Sequence, residues 1–205
     1  MNWELFGAFL ALTAVLIVVP GPIVTLVIAT GMSQGIGAAL VTVAGTSVGN
    51  AVLLTAIAVG LSFVLQNAAV LFEVLRFFGA GYLVWLGLAA WRQAGAATAV
   101  TAVRGGTLNF SRGFLVALSN PKTIAFFTAF LPQFVDPHLP VARQLFVMCA
   151  VTAVLAAASD SLWAIASGLG RVWFLKAPRA RMLGRLSGVA LIGGGVWLAL
   201  ARRAG

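Results

Sequence analysis

Charge is what this 205-residue sequence has least of: Asp, Glu, Lys and Arg make up 8% of it, against 61% hydrophobic residues. Soluble domains carry roughly a quarter charged residues, so a water-soluble fold of this length would have almost nothing to cover its surface. Hydropathy alone places the chain in a bilayer. Cysteine is nearly absent too. The lone Cys149 excludes an internal disulfide framework, a CxxC motif and any relay through paired thiols. A single histidine, His138, has no partners with which to hold a metal, and a metal exporter would want clusters of His, Asp or Cys within its spans. The net charge of +9 comes from basic residues scattered between apolar runs. That pattern suits loops against anionic headgroups rather than a nucleic-acid surface.

What the sequence has in abundance is apolar runs of membrane length. Six are expected to span as helices, at about 4–29, 38–65, 69–91, 111–134, 142–170 and 184–201. The opening MNWELFGAFL has no basic n-region, meets its first charge at Glu4 and offers no small-residue cleavage pattern, so it reads as a retained first helix. Short glycine-rich residues Gly31–Gly37 form the first loop, a polar connection covers about 93–109, and Arg171–Arg185 form a basic fifth loop. Numbered alternately by side, the loops on one side collect eight basic residues (Arg92, Arg104, Arg112, Arg171, Lys176, Arg179, Arg181, Arg185). The other side has four (Arg76, Arg143, Arg202, Arg203), together with Glu4, Glu73 and Asp136. The basic side is expected in the cytoplasm, with both termini outside.

The halves resemble each other. RFFGAGYLVWLGLAAWR (Arg76–Arg92) and RLSGVALIGGGVWLALARR (Arg185–Arg203) each set an Arg three residues before a Gly, then Val-Trp-Leu-x-Leu-Ala and a closing Arg. Three helices per copy is an odd number, so repeat 1 (about 1–92) and repeat 2 (about 110–203) would run oppositely across the bilayer within one transmembrane domain.

Each half also carries a break. In LIVVPGPIVTLVIA the first span is interrupted by Pro20, Gly21 and Pro22; in VALSNPKTIAFF the fourth is interrupted by Asn120, Pro121 and Lys122. Proline lacks an amide hydrogen and clashes with the preceding turn. Backbone groups freed by a break cost several kcal/mol each in hydrocarbon unless protein, water or a ligand satisfies them. A freed helix N-terminus carries roughly half a positive charge and suits a carboxylate. Matched proline breaks in two spans point to a transport site near the midplane; packing kinks are the alternative.

Two ionisable residues fall inside spans, Lys122 and Asp160. Such charges cost about 2.5–3.5 kcal/mol on insertion scales, which makes function the default reading. Lys122 can grip a carboxylate. Asp160, between Ser159 and Ser161, can exchange a proton or face an ammonium group. A static Lys122–Asp160 pair joining two helices is the alternative. In GTSVGN, Gly45 and Gly49 suit close helix packing, while Asn50 and Ser47 are polar groups that need a partner and Asn50 is a further site candidate. Leu131–Pro137, LPQFVDP, reads as a helix end and turn, with Gln133 a lesser candidate for closing the site. No catalytic constellation, cofactor or metal site is expected.

These residues together resemble the LysE/RhtB family of amino-acid exporters. The resemblance is carried by the PGP of the first span, the GxxxG of the second and FxGAxYLxWLG from Phe77 to Gly87. It extends to NPKxxxF in the fourth span, LPQF at 131–134 and the lone Asp160 of the fifth. It covers essentially the whole chain and is closer to the homoserine/threonine branch. It implies a six-span, LysE-type all-helical exporter of the bacterial inner membrane that expels amino acids, driven by protons and able to dimerise. Val19 departs from the serine or threonine common before PGP. A lysine-type substrate would want a second acid in the spans, so neutral amino acids are expected. Export of basic amino acids is the alternative, followed by a passive channel or a metal exporter.

Overall fold

The computed structural model describes residues 1–18, 21–67, 69–92, 106–170 and 177–200, and its regular structure there is entirely helical. The elements are α1 (Trp3–Val18), α2 (Pro22–Gln34), α3 (Ile36–Asn67), α4 (Ala69–Arg92), α5 (Gly106–Leu118), α6 (Pro121–Phe130), a 3₁₀ turn at Leu131–Phe134, α7 (Val141–Leu169) and α8 (Ala177–Leu200). Val19 and Pro20, most of the 93–109 connection, Arg171–Lys176 and the residues after Leu200 lie outside the described residues.

Local chemistry sets the helix ends. Asn2 Oδ1 accepts from the amides of Glu4 (3.2 Å) and Leu5 (3.3 Å), satisfying first-turn donors of α1. Pro22 and Pro121 open α2 and α6, where a missing amide hydrogen is no loss. Gly35 stands alone between α2 and α3 at φ 93°, a conformation that L-residues rarely adopt. The expected loop over Gly31–Gly37 therefore contracts to one residue, because a single glycine can both end α2 and start α3. Two further boundaries shift outward: α5 begins at Gly106 and α8 at Ala177. Arg179, Arg181 and Arg185 thus sit on a helix rather than in a loop, and the Arg185 guanidinium lies 5.7 Å from the Trp91 ring centroid.

Within the described residues, Ile36–Leu65 and Val141–Leu169 are long and apolar enough to cross a bilayer, as is the broken unit Thr107–Phe134. Helices α1 and α2 together make a fourth such unit, bent by 44°. At 24 residues each, α4 and α8 reach about 36 Å. Large apolar side chains such as Phe63, Phe78, Leu162 and Leu169 face outward, as a lipid solvent allows.

Glycines let the spans approach closely. A Cβ at Gly49 would stand 2.5 Å from the Phe114 carbonyl oxygen, and one at Gly45 would meet the Phe110 carbonyl, so the GxxxG face of α3 lies directly on α5. Gly87 and Gly188 bring α4 and α8 together in the same way. The buried apolar side chains form two clusters. One, with Phe9, Leu54, Leu83, Phe127, Phe130 and Met148, joins α1, α3, α4, α6 and α7. The other, with Ile23, Val27, Val43, Ala117 and Ala164, joins α2, α3, α5 and α7. Both helix breaks lie where the two clusters meet.

Candidate functional site

At that boundary is a cavity of about 510 Å³, counted to its open mouth. Its wall brings together Gly21, Asn50, Asn120, Lys122 and Asp160, residues spread over more than half of the sequence. Thr123, in the first turn of α6, and Thr152 add hydroxyls, Ile23 and Val24 bring the first turn of α2 to the wall, and Leu54, Phe127 and Ala156 make part of it apolar. Pro22 and Pro121 do not line it; they start the helices whose first turns do. Pro20 lies outside the described residues.

The two ends of the break in the first span are treated differently. The Lys122 ammonium donates to the Leu16 carbonyl oxygen at 2.7 Å, satisfying a main-chain acceptor at the C-terminal end of α1. Charge-assisted bonds of this kind are roughly twice as strong as neutral ones. On the other side of the gap, the first turn of α2 begins at Gly21 (φ −131°, ψ −166°), where an L-residue would meet the Lys122 side chain at 3.2 Å. First-turn amides have no acceptor within their own helix, so α2 presents donors to the cavity. The start of α6 is organised by Asn120: its Oδ1 accepts from the Lys122 amide at 3.1 Å, and its Nδ2 donates to Thr123 Oγ1 at 2.9 Å. Asn120 is thus an N-cap that fixes the direction in which α6 points its positive end.

The same cavity also has acceptors. Asp160, on α7, is buried, with Thr46 Oγ1 3.4 Å from Oδ2, and lies within range of the Lys122 charge. Asn50 Oδ1, on α3, is buried with no hydrogen-bond partner. A buried polar atom without a partner costs about 1–3 kcal/mol, so a donor arriving at Asn50 would be favoured. The cavity therefore offers both positive groups and oxygen acceptors.

Sequence reasoning missed Thr46, Thr123, Thr152 and the Leu16 carbonyl. Thr46 was legible: it precedes Asn50 by four residues and so shares its helix face; it reaches the site through Asp160 and, like Ser47, does not itself line the cavity. Ser161 bonds back to the Ala157 carbonyl at 2.7 Å and also stays out. Gln133 lies in the 3₁₀ turn at the far end of α6, and does not line the cavity either.

A bent first span, a second broken span and a cavity that holds Lys122 and Asp160 fit a membrane translocator, the class that the family match shows. The profile of the LysE type translocator family matches residues 14–202, and the chain belongs to that family. It is 30% identical over the full length of both chains to a homoserine/homoserine lactone efflux protein of Salmonella typhimurium. A leucine efflux protein of Enterobacter sp. is 30% identical over 87% of each chain. An uncharacterized membrane protein of Pseudomonas aeruginosa is 35% identical over 90% of each. No solved structure matches the chain.

Proposed function

We propose that this translocator exports neutral amino acids from the cytoplasm in exchange for protons, holding them as zwitterions at the paired helix breaks. One observation carries the reading: one cavity receives two helix starts, an ammonium, a carboxylate and an unpartnered amide oxygen. The substrate carboxylate sits at the first turns of α2 and α6 beside Lys122. Its ammonium group faces Asn50 Oδ1 and Asp160. The names of the relatives, homoserine and leucine efflux proteins, support amino acids as the cargo class. With Asp160 as the sole acid among the described residues of the cavity wall, net-neutral cargo balances the site better than a cationic side chain.

In this cycle Asp160 takes a proton from the outer face, which loosens its hold on the substrate ammonium or on Lys122 and lets the cargo leave. Release of the proton inside resets it. The spans number six, in two inverted three-helix repeats. The packing supports that symmetry: α3 lies on α7 and α4 on α8, while contact of the α5–α6 span with α3 mirrors contact of the α1–α2 span with α7. The chain sits in the inner membrane with both termini outside, as a homodimer able to form within the bilayer.

Inside-out vesicles with an acid lumen, given labelled homoserine, threonine or leucine in the outside medium, test the reading. Uptake should rise with the gradient and collapse with an uncoupler. Asp160→Asn should abolish the gradient-driven part while the purified variant stays folded. Full coupled transport by Asp160→Asn removes the proton role, and no amino-acid transport by the wild-type chain removes the reading altogether.

A further inference from the structure

Beside the charged cavity is a second one, of about 340 Å³, with a wall that is apolar except at Lys122. Leu83, Phe126, Phe130 and Leu191 form its buried floor, and Val15 stands at its exposed mouth. Phe126 and Phe130 stack at 4.8 Å with ring planes 13° apart, and Phe130 stacks in turn on Trp197 at 5.7 Å, so this floor is held in place by aromatic packing. Leu16 and Lys122 line both cavities. The partition between them is the Lys122 side chain itself, held across the gap by its 2.7 Å bond to the Leu16 carbonyl.

We infer that this apolar cavity is the side-chain pocket of the transport site and that it selects aliphatic amino acids. The inference rests on the proposed zwitterion seat. A head group bound at the α2 and α6 starts lies against Lys122, and among the described residues the space on the other side of that lysine has no further polar side chain to offer a hydroxylated cargo. It has leucines and phenylalanines, which suit methyl and methylene groups. Arrival of a carboxylate gives the Lys122 ammonium an alternative partner to the Leu16 carbonyl. When it turns to the carboxylate, the partition opens and the two cavities become one, with the head on the polar side and the aliphatic tail on the apolar side. Carboxylate binding and access of the tail to its pocket are then a single event, which a free hydrocarbon cannot trigger.

The test is competitive export from proteoliposomes holding the full-length chain, with leucine and homoserine as the labelled pair. Val15→Phe fills the exposed mouth without disturbing the buried floor. It should lower leucine export about tenfold or more, the discrimination an apolar pocket gives for small changes of fit, while homoserine export changes less than about twofold. Leu191→Ala enlarges the floor and should raise phenylalanine export above the wild-type rate. If Val15→Phe leaves leucine export untouched, or lowers leucine and homoserine in parallel, the cavity is a seat for lipid acyl chains and the inference is overturned. Failure of the zwitterion seat has a different signature: Lys122→Met then leaves both substrates moving at wild-type rates.

Discussion

Replacing Lys122 by methionine isolates the physical contribution of the first helix break. Methionine keeps the unbranched apolar stem and removes the ammonium. The Leu16 carbonyl then loses its 2.7 Å partner, and a buried acceptor left unsatisfied costs about 1–3 kcal/mol. Asp160, which shares the cavity, simultaneously loses the positive charge in its range. Some of this is offset, because the variant no longer buries an ammonium. The net expectation is a loss of about 1–3 kcal/mol, measured by denaturant unfolding in detergent micelles, together with loss of export. Adding Asp160→Asn separates two roles. Paired neighbours show couplings of about 0.5–3 kcal/mol in such cycles, so the double variant should regain part of the stability lost by Lys122→Met. If the two residues only join helices, export returns with it. If they hold the cargo, export stays lost. A Lys122→Met protein that unfolds within about 0.5 kcal/mol of wild type and still exports would refute the assignment of this lysine to the break.

Other expectations follow from single contacts. Asn120→Ala removes the cap of α6 and should cost about 1 kcal/mol, whereas Asn120→Asp keeps an acceptor for the Lys122 amide and should cost less; unfolding midpoints compare them. Gly49→Val should separate α3 from α5, because a Cβ there already meets Phe114 and Ala117; overpacking of this kind costs about 1–3 kcal/mol. Gly81→Ala is the control: nothing lies within 4 Å of its Cβ, and alanine gains about 1 kcal/mol of helix propensity. At the connection before α7, the His138 amide, first, and the Asn2 side chain, second, hold the Asp136 carboxyl below its ordinary range. A depressed carboxyl pKa stabilises the folded state above the unfolded value and loses that contribution as pH falls through the folded one. The tie between Asn2 and Asp136 should therefore loosen on acidification below about pH 4, and Asp136→Asn should remove that acid-dependent part of the thermal midpoint.

The spans were legible because hydropathy is a bulk property: 38–65, 69–91 and 142–170 match α3, α4 and α7 to within two residues. The breaks were legible because proline leaves a local mark that no tertiary context erases. Contacts between distant residues were not. Nothing local to Lys122 announces a bond to a carbonyl 106 positions away, and that Thr46 rather than Ser47 reaches Asp160 turns on the rotation of α3 against α7. Asn120 was legible in type, since Asn before Pro is a helix-start pattern, but its side chain caps α6 and so serves the site through that helix. The start of α8 was obscured by Arg179, Arg181 and Arg185, charges that read as loop although a helix end carries them equally well.

A seat for zwitterions must recognise both ends of its cargo. Thermal stabilisation of the purified chain by an amino acid, its decarboxylated amine and its N-acetyl derivative measures this in one experiment. Binding to the folded state at about a hundredfold over Kd adds about 2.7 kcal/mol, well within reach of a melting shift. The amino acid should stabilise the wild-type chain, the two one-ended analogues should not, and Lys122→Met should abolish the response. Equal stabilisation by all three ligands, or a response that survives Lys122→Met and Asn50→Ala together, would contradict a site built from the two helix breaks.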